Sequence, residues 1–303
     1  MLSLGPSRPA TRGARFAHRV IRPWLFLAPL LFFNVLVILA PSLGAMYYAF
    51  TDWSGLGEAK WIGLENFRRI AGDEIFRQAL LNNLTWCAVF LTAPIAMALL
   101  GAALMAGIRR GQVFFRIAYF IPYVMASVVV AAVWRNILNP SVGIGVQLAK
   151  LGMTWADIKF LGDPRTALLS VAFIDNWHWW GYLVILYLAA MQAVDHSLYE
   201  CARLEGASRW QEFVHVTLPG IRPTLMFTLL FTVIFSFLGF DYVNILTGGG
   251  PANASEVLST LTYKAAFRRF EAGYAAAIGL TTSVICMIFG TLFVLLRRRG
   301  MEI

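Results

Sequence analysis

Five stretches of this chain, residues 24–51, 84–108, 117–134, 223–240 and 272–296, contain no charged side chain. A sixth, 166–194, is apolar apart from Asp175 and His178. Each is near or above the ~20 residues a helix needs to cross the hydrocarbon core, where every backbone polar group must be satisfied within its own segment. Only 14% of the chain is charged and 59% is apolar, against roughly 25% charged in soluble domains. An all-α integral membrane protein with six transmembrane helices is the fold class this pattern predicts.

Lysine and arginine give the orientation. The N-terminal tail carries Arg8, Arg12, Arg15, Arg19 and Arg22 without an acid, the second loop carries Arg109, Arg110 and Arg116, and the chain ends in Arg297, Arg298 and Arg299. Nine acids, among them Asp52, Glu58, Asp73, Asp157, Glu256 and Glu271, accompany the basic residues of the alternate loops. Both termini and the fourth-to-fifth loop are therefore expected in the cytoplasm. The +9 net charge is accounted for by orientation and by attraction to membrane lipid headgroups, with no nucleic acid required.

The expected organisation is a basic tail at 1–22, a first transmembrane helix at 23–51 and a larger transmembrane unit at 75–297. The first helix is too long for the apolar core of a cleavable signal peptide, and Pro29 and Pro41 should kink it. Gly55 and Gly57 mark a turn before an amphipathic element at about 64–81. The 139–164 connection shows no clear helix, and Thr247-Gly-Gly-Gly-Pro251 breaks the chain after the fifth helix. Ala98, Ala102 and Ala106 form a small-residue stripe that suits close helix packing, or simply an Ala-rich helix.

The loop at 195–220 is polar and reads as a helical hairpin. Ser197-Leu-Tyr-Glu200 and Ser208-Arg-Trp-Gln211 both have the form of a capping box. Gly206 suits the left-handed end of the first helix, and Pro219 is expected to stop the second. Capped helices in a loop of a lipid-adapted chain suggest a docking element; a solvated linker is the plainer alternative.

The chain shows no engine of its own. It has no Gly-x-x-x-x-Gly-Lys-Ser/Thr phosphate loop and no His-Glu-x-x-His. His18, His178, His196 and His215 are scattered, so no metal site is expected, and Cys87, Cys201 and Cys286 are too far apart in sequence to suggest a disulfide framework. The chain is not expected to be an enzyme. Energy for uphill movement would come from a partner or an ion gradient.

Polar groups at membrane depth are costly unless used or paired. They occur in Asp175-Asn-Trp-His-Trp-Trp-Gly181-Tyr182 and in Ser236-Phe-Leu-Gly239-Phe-Asp241-Tyr-Val-Asn244. Rings that stack on C–H faces, with polar groups that bond hydroxyls, are a mixture that holds a sugar. An interfacial aromatic belt accounts equally well for Trp177, Trp179 and Trp180.

The spacing of Glu200, Ala202, Gly206, Val216, Leu218 and Pro219 resembles the EAA motif of binding-protein-dependent ABC transporter permeases, with Cys201, Glu205 and Val216 as mild departures. Trp61-Ile-Gly-Leu-Glu-Asn-Phe67, Phe120-Ile-Pro122 and Leu246-Thr-Gly-Gly-Gly-Pro251 resemble the carbohydrate-uptake permeases, including those for maltose, glycerol phosphate and trehalose. The resemblance implies a MetI-like type I importer fold in a bacterial inner membrane. It also implies a second homologous permease, a dimer of cytosolic ATPase that binds ATP and Mg, an extracytoplasmic solute-binding protein and a carbohydrate substrate, with no cofactor in this chain. Its implied coupling residues are Glu200, Ala202, Glu205, Gly206, Val216, Leu218 and Pro219. Its implied substrate path is Asp175, His178, Trp179, Tyr182, Phe235, Ser236, Gly239 and Asp241. A permease for a non-carbohydrate solute, an ion-coupled secondary transporter using Asp175 or Asp241, and an intramembrane glycosyltransferase are the competing classes.

Overall fold

The computed structural model of the chain describes residues 22–108, 110–153, 155 and 158–300, with the side chains of 22, 23 and 296–300 left aside. Arg8, Arg12, Arg15, Arg19 and His18 of the tail, Arg109, Asp157 and the side chains of Arg22, Arg297, Arg298 and Arg299 lie outside the described residues.

The first helical stretch comprises α1 (Arg22–Asn34), a π-helical turn (Val35–Leu39) and α2 (Ala40–Tyr48). Proline lacks an N–H and crowds the carbonyl four residues back. The wider turn, closed by the Ala40 amide on the Val35 carbonyl, lets the helix continue through Pro41. No residue of Trp24–Tyr48 is buried within the chain.

A two-stranded hairpin follows, β1 (Thr51–Asp52) antiparallel to β2 (Lys60–Trp61). Asn66, on α3 (Glu65–Gly72), donates through Nδ2 to the carbonyls of Ala49 at 3.0 Å and Thr51 at 2.9 Å, which anchors this end. The amphipathic element expected over 64–81 divides at Asp73. There the carboxylate caps α4 (Glu74–Ala106) by accepting from the Ile75 and Phe76 amides.

α4 runs along α8 (Ala167–Gln192), the most extensive helix pair of the molecule. Lipid is as apolar as a leucine side chain, so such a pair is held by close packing rather than by expulsion of water. Ala98 and Ala102 are fully buried here, and a Cβ on Gly101 would meet Val184 Cγ2 at 3.1 Å. Ala106 is exposed and does not continue the stripe.

The 117–134 stretch is not one straight crossing. It forms α5 (Gln112–Val124) and α6 (Ser127–Ile137), bent by 90° about the extended residues Met125 and Ala126. The broken segment is fastened to α8. The Tyr119 carbonyl comes so close that a Cβ on Gly181 would lie 1.8 Å from it. The 139–164 connection holds a short helix, α7 (Ile144–Lys150).

After α8 come α9 (His196–Leu204), α10 (Arg209–Glu212), a second π-helical turn (Phe213–Thr217) and α11 (Leu218–Gly220). Pro219 therefore does not end the helical path; as in α2, a π turn precedes the proline, whose missing N–H needs no partner in a first helical turn. α12 (Arg222–Leu238) breaks at Gly239 and Phe240, and α13 (Asp241–Leu246) continues from there. The Gly-Gly-Gly-Pro loop leads to α14 (Leu258–Phe267) and α15 (Ala272–Gly300). Asn82 holds that loop to α4 by donating to the Ala254 and Glu256 carbonyls at 3.0 and 2.7 Å.

Among the described residues, Trp24–Tyr48, Glu74–Ala106, Arg222–Leu246 and Ala272–Leu295 are long and apolar enough to span a membrane, and the bent pair, counted as one broken span, would be a fifth. α8, at 26 residues, is about 39 Å long, but Asp175, Asn176 and His178 make its middle too polar to qualify by composition. It is nonetheless the best-buried helix of the bundle, with Ile174, Leu183, Val184 and Tyr187 fully covered.

Candidate functional site

Two constructions stand out: the hairpin that joins α8 to α12, and a cavity that both of those helices line. The first is the hairpin of α9 and α10. Its first cap is Asp195, whose Oδ1 accepts from the Ser197 amide at 2.9 Å; the box expected at Ser197 and Glu200 does not form. A carboxylate placed two residues earlier is the stronger acceptor for a helix N-terminus, and the bond to the Ser197 amide holds the Asp195 carboxyl below its ordinary range. Glu200 instead pairs with His196 in its own helix at 3.1 Å. Gly206, at φ +81°, ends α9. Its amide bonds the Arg203 carbonyl and the Ala207 amide bonds that of Ala202, a pairing that satisfies the last carbonyls of a helix. The second box forms as expected, Ser208 with Gln211.

The link across the hairpin is one the motif did not indicate. Arg203 Nε donates to Glu212 Oε1 at 2.9 Å and its Nη2 to Oε2 at 3.2 Å. That hydrogen bond raises the Arg203 guanidinium and lowers the Glu212 carboxyl from their ordinary values. Tyr199, at 3.0 Å from the Thr217 hydroxyl, ties the unit to the π turn below. Beyond these contacts the hairpin leaves Leu198, Leu204 and Trp210 exposed, Leu204 by 89% and Trp210 by 71%. Ala202, Glu205, Gly206 and Val216 line a cleft with Leu198 and Cys201. Glu200 does not line it, and Leu218 and Pro219 sit in α11 behind it.

The second construction is a cavity of about 260 Å³ among α4, α8, α12 and α13, just under the ~300–1,000 Å³ usual for ligand pockets. Of the residues expected on a substrate path, Asp175, Trp179, Phe235, Ser236, Gly239 and Asp241 line it together. His178 and Tyr182 do not. His178 Nε2 lies 3.1 Å from the Met125 carbonyl, at the elbow of the broken segment, and Tyr182 stacks on Tyr123 with centroids 4.8 Å apart. Ser236 lines the wall, but its hydroxyl donates to the Thr232 carbonyl at 2.7 Å. Asp241 Oδ2 accepts from Ser127 at 2.6 Å, which ties α13 to the start of α6. Trp86, Phe90, Thr232, Leu238, Phe240 and Tyr242 complete the lining; Trp86, Phe90 and Thr232 lie outside the two polar segments marked in the sequence. Among the described residues no three His, Cys, Asp or Glu side chains gather to hold a metal.

Residues 95–300 match the family model described as "Binding-protein-dependent transport system inner membrane component". The chain is 35% identical to the probable ABC transporter permease protein YurN of Bacillus subtilis, over 93% of this chain and 98% of that one. It is 31% identical to the diacetylchitobiose uptake system permease protein NgcF of Streptomyces coelicolor, over 96% and 88%. A solved bacterial ABC transporter for import of the acidic polysaccharide alginate superposes with a TM-score of 0.83 at 26% identity, covering 95% of this chain and 100% of that chain. A second structure describes the alginate transporter in complex with its alginate pentasaccharide-bound periplasmic protein, with the same TM-score at 25% identity and 95% and 99% coverage.

Proposed function

The chain belongs to the family of inner membrane components of binding-protein-dependent transport systems, and from that premise we propose that it is the permease subunit through which a carbohydrate enters a bacterial cell, driven by ATP hydrolysed on separate subunits. The observation that carries the ATP coupling is the hairpin: capped and ion-paired, with Leu198, Leu204 and Trp210 uncovered, on a chain with no nucleotide loop. An apolar helical surface of this kind fits a groove on another protein.

In this reading the transporter contains a second homologous permease, two ATPase copies that hold ATP and Mg, and an extracytoplasmic binding protein that delivers the sugar. With the bent pair and α8 each counted as a crossing, the chain crosses six times in this reading, which leaves both termini and the hairpin on the cytoplasmic side. ATP binding closes the ATPase dimer and draws the hairpins together; because α11 and α12 follow the second π turn without a flexible linker, the movement passes to the cavity wall at Phe235 and Gly239. Ala202, Glu205, Gly206 and Val216 form the docking cleft, Leu218 and Pro219 carry the motion onward, and Glu200 faces the ATPase. Asp175, Trp179, Phe235 and Asp241 line this chain's share of the path.

The test is uptake by the co-purified complex in proteoliposomes loaded with ATP. Sugar accumulation that requires ATP and persists with a protonophore supports the reading. Accumulation without nucleotide, abolished by the protonophore, would instead assign an ion-coupled transporter.

A further inference from the structure

The lining of the cavity is acidic and aromatic: it contains Asp175 and Asp241 and no Lys, Arg or His. Arg135, on the adjoining α6, is directed at the Ile245 carbonyl instead, and Lys264 is paired with the buried Glu256. Asp241 has one oxygen engaged by Ser127. Asp175 has no hydrogen-bond partner among the described residues, although it lines the cavity. Two further groups in the same wall are unpaired. The hydroxyls of Tyr242, 7% exposed, and Thr232, 2% exposed, have no partner among the described residues. Buried hydroxyls are nearly always satisfied, so two left open on one cavity point to a ligand or water that completes them.

From this juxtaposition we propose that the path selects uncharged or amino sugars and rejects uronates and sugar phosphates, with Asp175 accepting from sugar hydroxyls or an ammonium group and Tyr242 and Thr232 completing the contact. The inference rests on the carbohydrate reading above and adds the sign of the charge. The fold itself leaves that sign open, since a relative carries glycerol 3-phosphate in its name and a structural neighbour imports an acidic polysaccharide. A carboxylate on the ligand brought beside the Asp175–Asp241 pair in this wall is repelled by the pair's charge, by an energy that weakens binding roughly tenfold to a hundredfold.

The experiment titrates the purified permease–ATPase complex in lipid nanodiscs, without binding protein, and reads tryptophan fluorescence, since Trp86 and Trp179 line the cavity. The probes are cellobiose, the glucosamine disaccharide and digalacturonate, matched in size. Cellobiose and the amine are expected to change the emission, with digalacturonate binding at least about tenfold more weakly, and Asp175→Asn to narrow that gap. The three-probe comparison uses the unmodified chain, so it holds even if the variant fails to assemble. Digalacturonate binding as tightly as cellobiose would overturn the charge selection while leaving the carbohydrate path intact. A flat response to all three probes would overturn both.

Discussion

Arg203 on α9 and Glu212 on α10 are joined by two parallel hydrogen bonds, at 2.9 and 3.2 Å, across the turn at Gly206. The fork of a guanidinium on a carboxylate fixes angle as well as distance. Together with the Ser208–Gln211 box it makes the hairpin a preformed unit. A docking element that is already ordered loses less conformational freedom when a partner covers it.

Removing that link should loosen coupling without unfolding the membrane portion. Arg203→Ala and Glu212→Ala are each expected to lower sugar transported per ATP roughly two- to fivefold, the range set by an exposed ion pair. The charge-swapped double variant should recover part of the loss. Uptake and ATP hydrolysis measured on the same proteoliposomes check this; unchanged stoichiometry in both single variants counts against it.

The same pair has a defined pH window. The hydrogen bond from Arg203 holds the Glu212 carboxyl below its ordinary range. Its contribution is therefore complete above the unfolded carboxylate value of about 4.3, and is lost as pH falls through the lower folded value. Hydrogen-exchange protection in α9 and α10, taken relative to the intrinsic rate at each pH, should be insensitive to the pair's titration at neutral pH and fall only in strong acid. Loss of protection near neutrality would contradict the assignment.

Gly206→Trp tests the turn. Nothing lies within 4 Å of a Cβ built there, but φ is +81°, so the substitution costs about 1–2 kcal/mol of backbone strain rather than a clash. The variant should reach the membrane with normal thermal stability of the bundle, hydrolyse ATP, and fail to accumulate sugar. Wild-type uptake would argue against docking at this turn.

The sequence made some of this plain and hid the rest for physical reasons. Uncharged length announced the membrane helices, and Gly206 and Ser208 announced a turn and a cap because each has one chemistry to offer. The break at Met125 and Ala126 was hidden because residues 117–134 carry no charge to divide them, although Pro122 stands three residues before it. Trp86 and Phe90 escaped notice for a related reason. In water an apolar stripe shows which side of a helix is inside, whereas here lipid and cavity wall both accept apolar residues. His178 and Asp241 drew attention as costly polar groups. The structure has them fastening the broken segment, at Met125 and Ser127, a use that spacing along one helix does not reveal.

Gly181→Ala should be among the most damaging small changes in the bundle. Its Cβ would stand 1.8 Å from the Tyr119 carbonyl, so α5 must move away from α8. Overpacking of this kind costs about 1–3 kcal/mol, seen as a lower melting temperature in detergent. Gly279→Ala, where nothing lies within 4 Å, should melt like the parent chain; equal melting of both variants would show that α5 does not approach α8 this closely.

Asn83, fully buried, donates to the Ser236 carbonyl at 2.8 Å and accepts from the Leu258 amide at 2.8 Å, joining α4 to α12 and α14. Asn83→Leu strands both backbone groups, at about 2–4 kcal/mol. Thermal unfolding in nanodiscs should show the loss, and an unchanged midpoint would show that other groups satisfy them.

Cys201 gives the most direct test of whether the hairpin is where this chain takes its energy. It is exposed and lines the hairpin cleft, whereas Cys87 is buried and Cys286 partly so. A photoactivatable maleimide on Cys201, applied to the assembled transporter and to this chain purified alone, compares the two states of that surface. The account predicts rapid labelling of the lone chain, strong protection in the complex, and crosslinks from prelabelled chain to the ATPase subunit. Equal labelling in both, with no crosslink to an ATPase, would contradict it.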